Sequence, residues 1–151
     1  MRIETQFSIF LVNKPGVLAQ VTSALAKAKI NIIALTLVDS SEHGVLRIVC
    51  SDKIEKVRRV LALTHDQFTE TEVLAMDLSN KPGAFAAAAD KLAAEHININ
   101  YAYCTGGARG GKTTAIFKVA DLKKALRVLK PVHVSRKVER VPVKSSPRRR
   151  R

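Results

Sequence analysis

The chain has no tryptophan, and aromatic residues make up only 5% of its 151 positions. Recognition of single-stranded nucleic acid on an open sheet needs exposed rings on which bases can stack, so this scarcity argues against it. Two cysteines, Cys50 and Cys104, are too few for a disulfide framework. Both fall in apolar, strand-like runs and read as buried thiols. No cysteine–histidine cluster has zinc-ligand spacing, so neither a metal nor a cofactor is expected. No apolar run reaches the roughly 18–20 residues of a membrane span. The opening residues MRIETQF lack the basic-then-apolar layout of a secretory leader, which makes a cytoplasmic protein without membrane attachment the expectation. A catalytic set is missing as well. His43, His65, His96 and His133 are scattered, with no paired nucleophile or orienting carboxylate at a useful spacing. The chain therefore does not read as an enzyme.

What the sequence has in excess is positive charge, a formal net of +13. Its location decides its meaning. Residues 1–67 carry nine basic and six acidic groups, and residues 68–129 carry eight and six. Residues 130–151 carry nine basic groups against Glu139 alone, and they end in four arginines. Most of the excess sits in a C-terminal tail whose composition suits a solvated end. The remainder is only mildly basic. Specific nucleic-acid binding is therefore not expected, and the tail alone could offer salt-sensitive attraction to phosphates.

The second feature present is an internal repeat. Asn13-Lys14-Pro15-Gly16 recurs as Asn80-Lys81-Pro82-Gly83 at an offset of 67. At the same offset Leu25 meets Leu92, and Ile30-Asn31-Ile32 meets Ile97-Asn98-Ile99. Asp52 matches Asp121 at 69, so two residues are inserted within the glycine-rich stretch Thr105–Lys112. Each copy reads β-α-β-β-α-β. Phe7, Ile9 and Leu11 alternate as in a half-buried strand, while Leu18, Val21, Leu25 and Ala28 share one helical stripe. Strands are predicted at Asn31–Asp39 and Val45–Ser51, then at Ile97–Cys104 and Thr113–Ala120. Helices are predicted from Gly83 to about Glu95 and around Leu122–Lys130. Gln67–Leu78 must hold the last strand of one copy and the first of the next with almost no linker. The expectation is an α+β fold of two tandem ferredoxin-like βαββαβ units. Together they form one eight-stranded antiparallel sheet with four helices on one face. The domains are then 1–70 and 71–135, with a basic tail at 136–151.

Asn-Lys-Pro-Gly followed by Val17-Leu18, between an alternating strand and a helix that leads into Ile30-Asn31-Ile32, resembles the ACT domain. Ala84-Phe85 and Asn98-Ile99 fit the same pattern in the second copy. The resemblance covers about residues 5–135 and is to stand-alone tandem ACT proteins. It implies a regulatory protein that senses a small amino acid, as a homodimer or docked on a metabolic enzyme.

The chemistry of the loop agrees with that implication. Pro-Gly before a helix leaves the amides of Gly16, Val17 and Leu18 at its N-terminus, where a ligand carboxylate is attracted, and glycine allows close approach. Asn13 and Asn31 could supply acceptors for an ammonium. Gly83, Ala84, Phe85, Asn80 and Asn98 are the counterparts. Asn13 and Asn80 are also expected to act as helix N-caps, with proline near the first helical position. Gly106–Thr113 satisfies the phosphate-loop pattern GxxxxGK[ST]. The β-branched run that follows predicts a strand where a phosphate loop needs a helix, so nucleotide binding is not expected. Tyr101 and Tyr103 alternate on one strand and are assigned to sheet packing.

Overall fold

A computed structural model describes residues 1–39, 43–64, 67–107 and 111–130. Ten elements follow one another: β1 (Arg2–Val12), α1 (Val17–Lys27), β2 (Ile32–Asp39), β3 (His43–Cys50), α2 (Ile54–Leu63), β4 (Gln67–Ser79), α3 (Ala84–Ala94), β5 (Ile99–Cys104), β6 (Lys112–Val119) and α4 (Leu122–Leu129). The alternating residues of β1 behave as their period requires, with Phe7, Ile9 and Leu11 buried. They pack against Val21 and Leu25 of α1 and Val57 and Leu61 of α2. In the second copy Leu74 and Leu78 of β4 meet Leu92 of α3 and Leu129 of α4. Fully burying a leucine such as Leu25 or Leu92 contributes roughly 1.5–3 kcal/mol, so these stripes fix the helices to the sheet.

The sheet runs β2-β3-β1-β4-β6-β5 and is antiparallel throughout. The expected eight strands are thus six among the described residues. The two strands predicted within Gln67–Leu78 are one continuous 13-residue strand, β4. Its first part pairs with β1, from Gln67↔Phe10 to Ala75↔Arg2. Its last part pairs with β6, from Leu74↔Phe117 to Ser79↔Lys112. With no turn residues between the copies, the chain has no reason to leave the sheet, and one strand serves both. The 136–151 tail lies outside the described residues. Pairing register gives Phe7, Ile9, Phe68 and Leu74 the same face, so all four helices cover one side, as expected.

The helix-free face is not simply open. Ala34, Val49, Val73, Ala75 and Ile116 form a third buried cluster, joined by Ile33 and Tyr103. These residues come from β2 through β6, and β2 also touches β6, four places away in the strand order. The sheet therefore curls until its two halves meet, in keeping with the right-handed twist of antiparallel strands. At the seam Gln6, which is fully buried, donates to Ser8 Oγ at 3.1 Å and to the Tyr101 hydroxyl at 2.7 Å. Tyr103 donates back to Gln6 Oε1 at 3.0 Å. The Arg47 guanidinium lies over the Tyr101 ring, 4.4 Å from its centre. Burial raises the Tyr103 phenol well above its ordinary value. Both tyrosines thus pack within the sheet, in the role read from their alternation.

Candidate functional site

The two Asn-Lys-Pro-Gly loops have one geometry. Gly16 and Gly83 sit at φ 89° and 83°, in the left-handed region that glycine reaches without steric cost. The carbonyls of Gly16 and Gly83 accept the first helical bonds, from Gln20 and Ala87, each at 2.9 Å. The glycines are therefore the N-caps, and neither helix start has a side-chain cap hydrogen bond. This corrects the expectation that Asn13 and Asn80 cap these helices. The Pro-Gly pair turns the chain so late that the asparagines lie three residues before the cap. The Val17 and Ala84 amides donate to Lys14 and Lys81 carbonyls at 3.3 and 3.2 Å. Of the three amides predicted to face a ligand in copy one, Gly16 and Leu18 have no backbone acceptor among the described residues. Gly83 and Phe85 are the equivalent pair in copy two.

Beside the first loop lies a cavity of about 260 Å³. Its walls are Leu11 and Val12 from the end of β1, Asn13 and Lys14 from the loop, and Val17 and Leu18 from the start of α1. Leu37 and Gly44 close it from the β2–β3 hairpin. A Cβ on Gly44 would stand 3.4 Å from the Leu37 side chain, so a larger residue there would crowd this wall. The site is apolar with a cationic lip at Lys14. Asn13, Val17 and Leu18, all singled out from the sequence, border it. Lys14, within the repeated motif, also borders it, and an ammonium near a helix N-terminus is the simplest partner for a carboxylate. Leu37 and Gly44 carry no signal in one sequence, because only the hairpin pairing brings them to the loop.

The structure separates the two asparagines of copy one. Asn31 is exposed at the start of β2, and its carbonyl accepts from the Ser51 amide at 3.0 Å. Helix α1 stands between the loop and Asn31, and its 11 residues span about 16 Å. Asn98 stands in the same relation to Asn80, with its carbonyl accepting from Ala120 at 3.2 Å. Within one copy these pairs do not converge.

The second loop is built differently around the same backbone. Its Asn80 amide group donates to the Gly107 carbonyl at 2.9 Å, and its backbone amide donates to Gly111 at 2.8 Å. The glycine-rich hairpin therefore lies across the loop, whereas copy one has no glycine-rich counterpart. Phe85 stacks on Phe117 with ring centres 5.1 Å apart, so it fills space above the core. The segment Gly106–Thr113 leads into strand β6, as the run after it predicts, so no helix starts there to bind phosphate. Arg109 lies outside the described residues. Among those residues no group of histidine, cysteine or carboxylate side chains could hold a metal, and no helix is long and apolar enough to cross a membrane.

Comparison with known proteins bears on this geometry. A family model of the ACT domain pair matches residues 1–141. The chain is similar to the crystal structure of protein BT0572 from Bacteroides thetaiotaomicron, with 33% identity over 84% of this chain and 86% of that one, at a TM-score of 0.77. It shares its fold with the ligand-free regulatory subunit of aspartate kinase from Thermus thermophilus, at 16% identity, 85% and 95% coverage and a TM-score of 0.61. The regulatory subunit of aspartate kinase from Thermus flavus gives 18% identity, 83% and 89% coverage and a TM-score of 0.54. No curated protein matches.

Proposed function

We propose that this chain, which belongs to the ACT family as a pair of ACT domains, is a non-catalytic sensor that binds a small α-amino acid and regulates amino-acid metabolism. The observation that carries the reading is the cavity beside the first Pro-Gly loop, where Asn13, Lys14 and the first residues of α1 border an apolar wall. The ligand carboxylate is held by Lys14 and the amides of Gly16 and Leu18, where the helix N-terminus favours negative charge. Asn13 orients the ammonium, and the walls formed by Leu11, Val17 and Leu37 take the side chain. A volume of about 260 Å³ suits a molecule smaller than the drug-sized ligands of typical pockets. That regulatory subunits of aspartate kinase share the fold agrees with a non-catalytic role.

The two copies divide the work. The first is the ligand site. In the second, Asn80 bonds its own hairpin and Phe85 is stacked on Phe117, so these two side chains serve the fold before any ligand. Thermal melts against the twenty common amino acids test the reading, because a ligand that binds only the folded state must raise the melting temperature. One or a few should do so saturably. No shift for any of them at millimolar concentration would overturn it.

A further inference from the structure

The second helix of each copy carries cations, and the two copies use them differently. In α2 the buried pair is Val57 and Leu61, and in α4 it is Ala125 and Leu129. Aligning these pairs matches Glu55, Lys56, Arg59 and Ala62 with Lys123, Lys124, Arg127 and Lys130. Copy one balances its charge internally. Lys56 pairs with Asp52 at 2.5 Å, and Arg58 pairs with Glu70 at 2.5 Å and with Glu55 at 3.7 Å. Helix α4 contains no carboxylate. Lys123, Arg127 and Lys130 are exposed, and among the described residues none of them has a carboxylate partner. They stand four and three residues apart, so they form one stripe about 10 Å long, turned away from the core. Lys123 lies in the first turn, where a cation opposes the helix dipole, so helix stability does not account for it. The same fold accepts glutamate and alanine at two of these places, so the stripe is not a demand of the fold either.

We infer that the Lys123–Arg127–Lys130 stripe of α4 is a docking surface for the phosphate backbone of duplex nucleic acid, bound without sequence preference. The carboxylates beside it are already engaged. Glu95 pairs with Lys124 at 3.6 Å, and Asp121 caps α4 by accepting from the Lys124 amide at 2.8 Å. The chain runs on from the stripe into residues 131–151, where eight lysines and arginines stand against Glu139 alone. So dense a row of cations matches a duplex, which presents about one negative charge per 1.7 Å of its axis. Arg127 adds a planar guanidinium that can meet a phosphate through two parallel hydrogen bonds. A lipid surface would call for apolar residues free to enter it, and those of α4, Ala125 and Leu129, are buried in the core. The helix has no aromatic ring, asparagine or glutamine with which to read bases, so its contacts position a duplex without selecting a sequence. Unlike attraction by a tail alone, this surface includes a folded helix, and point changes in α4 must alter it.

Fluorescence anisotropy of a labelled DNA duplex of about 20 base pairs, titrated with the full chain without amino acid, tests the inference independently of the sensor reading. At about 50 mM salt the duplex should bind with a Kd in the micromolar range or below, whatever its sequence. Affinity should fall by about a thousandfold at about 200 mM salt, as about six phosphate contacts require. The double variant Lys123→Glu, Lys130→Ala carries the residues copy one has at these places, so it should keep its circular dichroism spectrum. It should bind about tenfold more weakly at about 50 mM salt and lower the salt slope by about two. Arg127→Gln is the second variant and should lower the slope by about one. Arg59→Gln, at the matching place in α2, should bind as wild type does. Absence of binding at about 50 mM salt overturns the proposal, as do folded α4 variants that bind like wild type. Anionic lipid vesicles or polyglutamate that displace the labelled duplex as well as unlabelled duplex does, at equal charge, would overturn the assignment to nucleic acid.

Discussion

The side-chain amide of Gln6 donates to the hydroxyl of Tyr101 at 2.7 Å, across 95 residues of sequence and across the seam between the two copies. Gln6 is fully buried and accepts from Tyr103 as well, so one side chain holds together strands from both halves. Replacing it with an apolar residue leaves two partly buried tyrosine hydroxyls without their partner. Gln6→Leu should lower stability by about 2–4 kcal/mol, from one or two unsatisfied polar groups at about 1–3 kcal/mol each. Tyr101→Phe, which removes a single acceptor, should cost about 1 kcal/mol less than that. Urea unfolding measures both, and wild type should unfold in one transition by fluorescence and circular dichroism. Two transitions would contradict the coupling.

This seam shows where the sequence was and was not legible. The alternation of Phe7, Ile9 and Leu11, the helical stripes and the repeated Pro-Gly loop are local patterns, and they led to the strands, the helices and the loop that lines the cavity. The merging of two predicted strands into β4 was hidden, because a continuous strand and two abutting ones have the same alternation. The curl that carries Tyr101 to Gln6 is a property of the whole sheet and leaves no periodic trace. For the site, Asn13, Val17 and Leu18 were readable from the motif. Leu37 and Gly44 were not, since they reach the loop only through the β2–β3 register.

The two loop glycines should be equally costly to replace. A Cβ at Gly16 or Gly83 meets no atom within 4 Å, so the penalty is backbone strain alone. Gly16→Ala and Gly83→Ala should each cost about 1–2 kcal/mol, the usual cost of a left-handed residue with a Cβ. Chemical denaturation decides, and a difference well above 1 kcal/mol between them would show that the loops are not equivalent in the fold.

The cysteines should separate cleanly by reactivity. Cys50 is buried, and burial followed by the nearby Asp52 charge pushes its thiol up to about 11. Cys104, which its apolar run led us to expect buried, is instead exposed at the end of β5. Near pH 8 a thiol-specific reagent should modify one group in the native protein and two in denaturant, and Cys104→Ser should leave none reactive without denaturant. Because the folded state holds the Cys50 proton more tightly, its contribution to stability is complete below the ordinary value of 9.0 and is lost as the pH rises towards about 11.

Arg58 and Glu70 form a two-pronged ion pair at 2.5 and 2.6 Å that ties α2 to β4. The guanidinium bonds hold the Glu70 carboxyl below its usual range. Stability from this pair is therefore present above the ordinary glutamate value of about 4.3 and disappears as the pH falls through the lowered one. The urea midpoints of wild type and Glu70→Gln should differ slightly near neutrality and converge in acid. A difference that grows on acidification would have the wrong sign.

An amino acid bound beside the first loop is detected by calorimetric titration of the full chain and of three variants. With the amino acid that gives the largest thermal shift, wild type should show one site per chain. Lys14→Ala should weaken binding by about tenfold or more, the loss of a charged hydrogen bond worth about 1.5–3 kcal/mol. Gly44→Leu, which fills the cavity wall, should abolish it, while Lys81→Ala in the second loop should leave it within about twofold of wild type. Each variant should keep the wild-type circular dichroism spectrum. Binding that survives Lys14→Ala and Gly44→Leu but is lost in Lys81→Ala would place the ligand at the second loop instead.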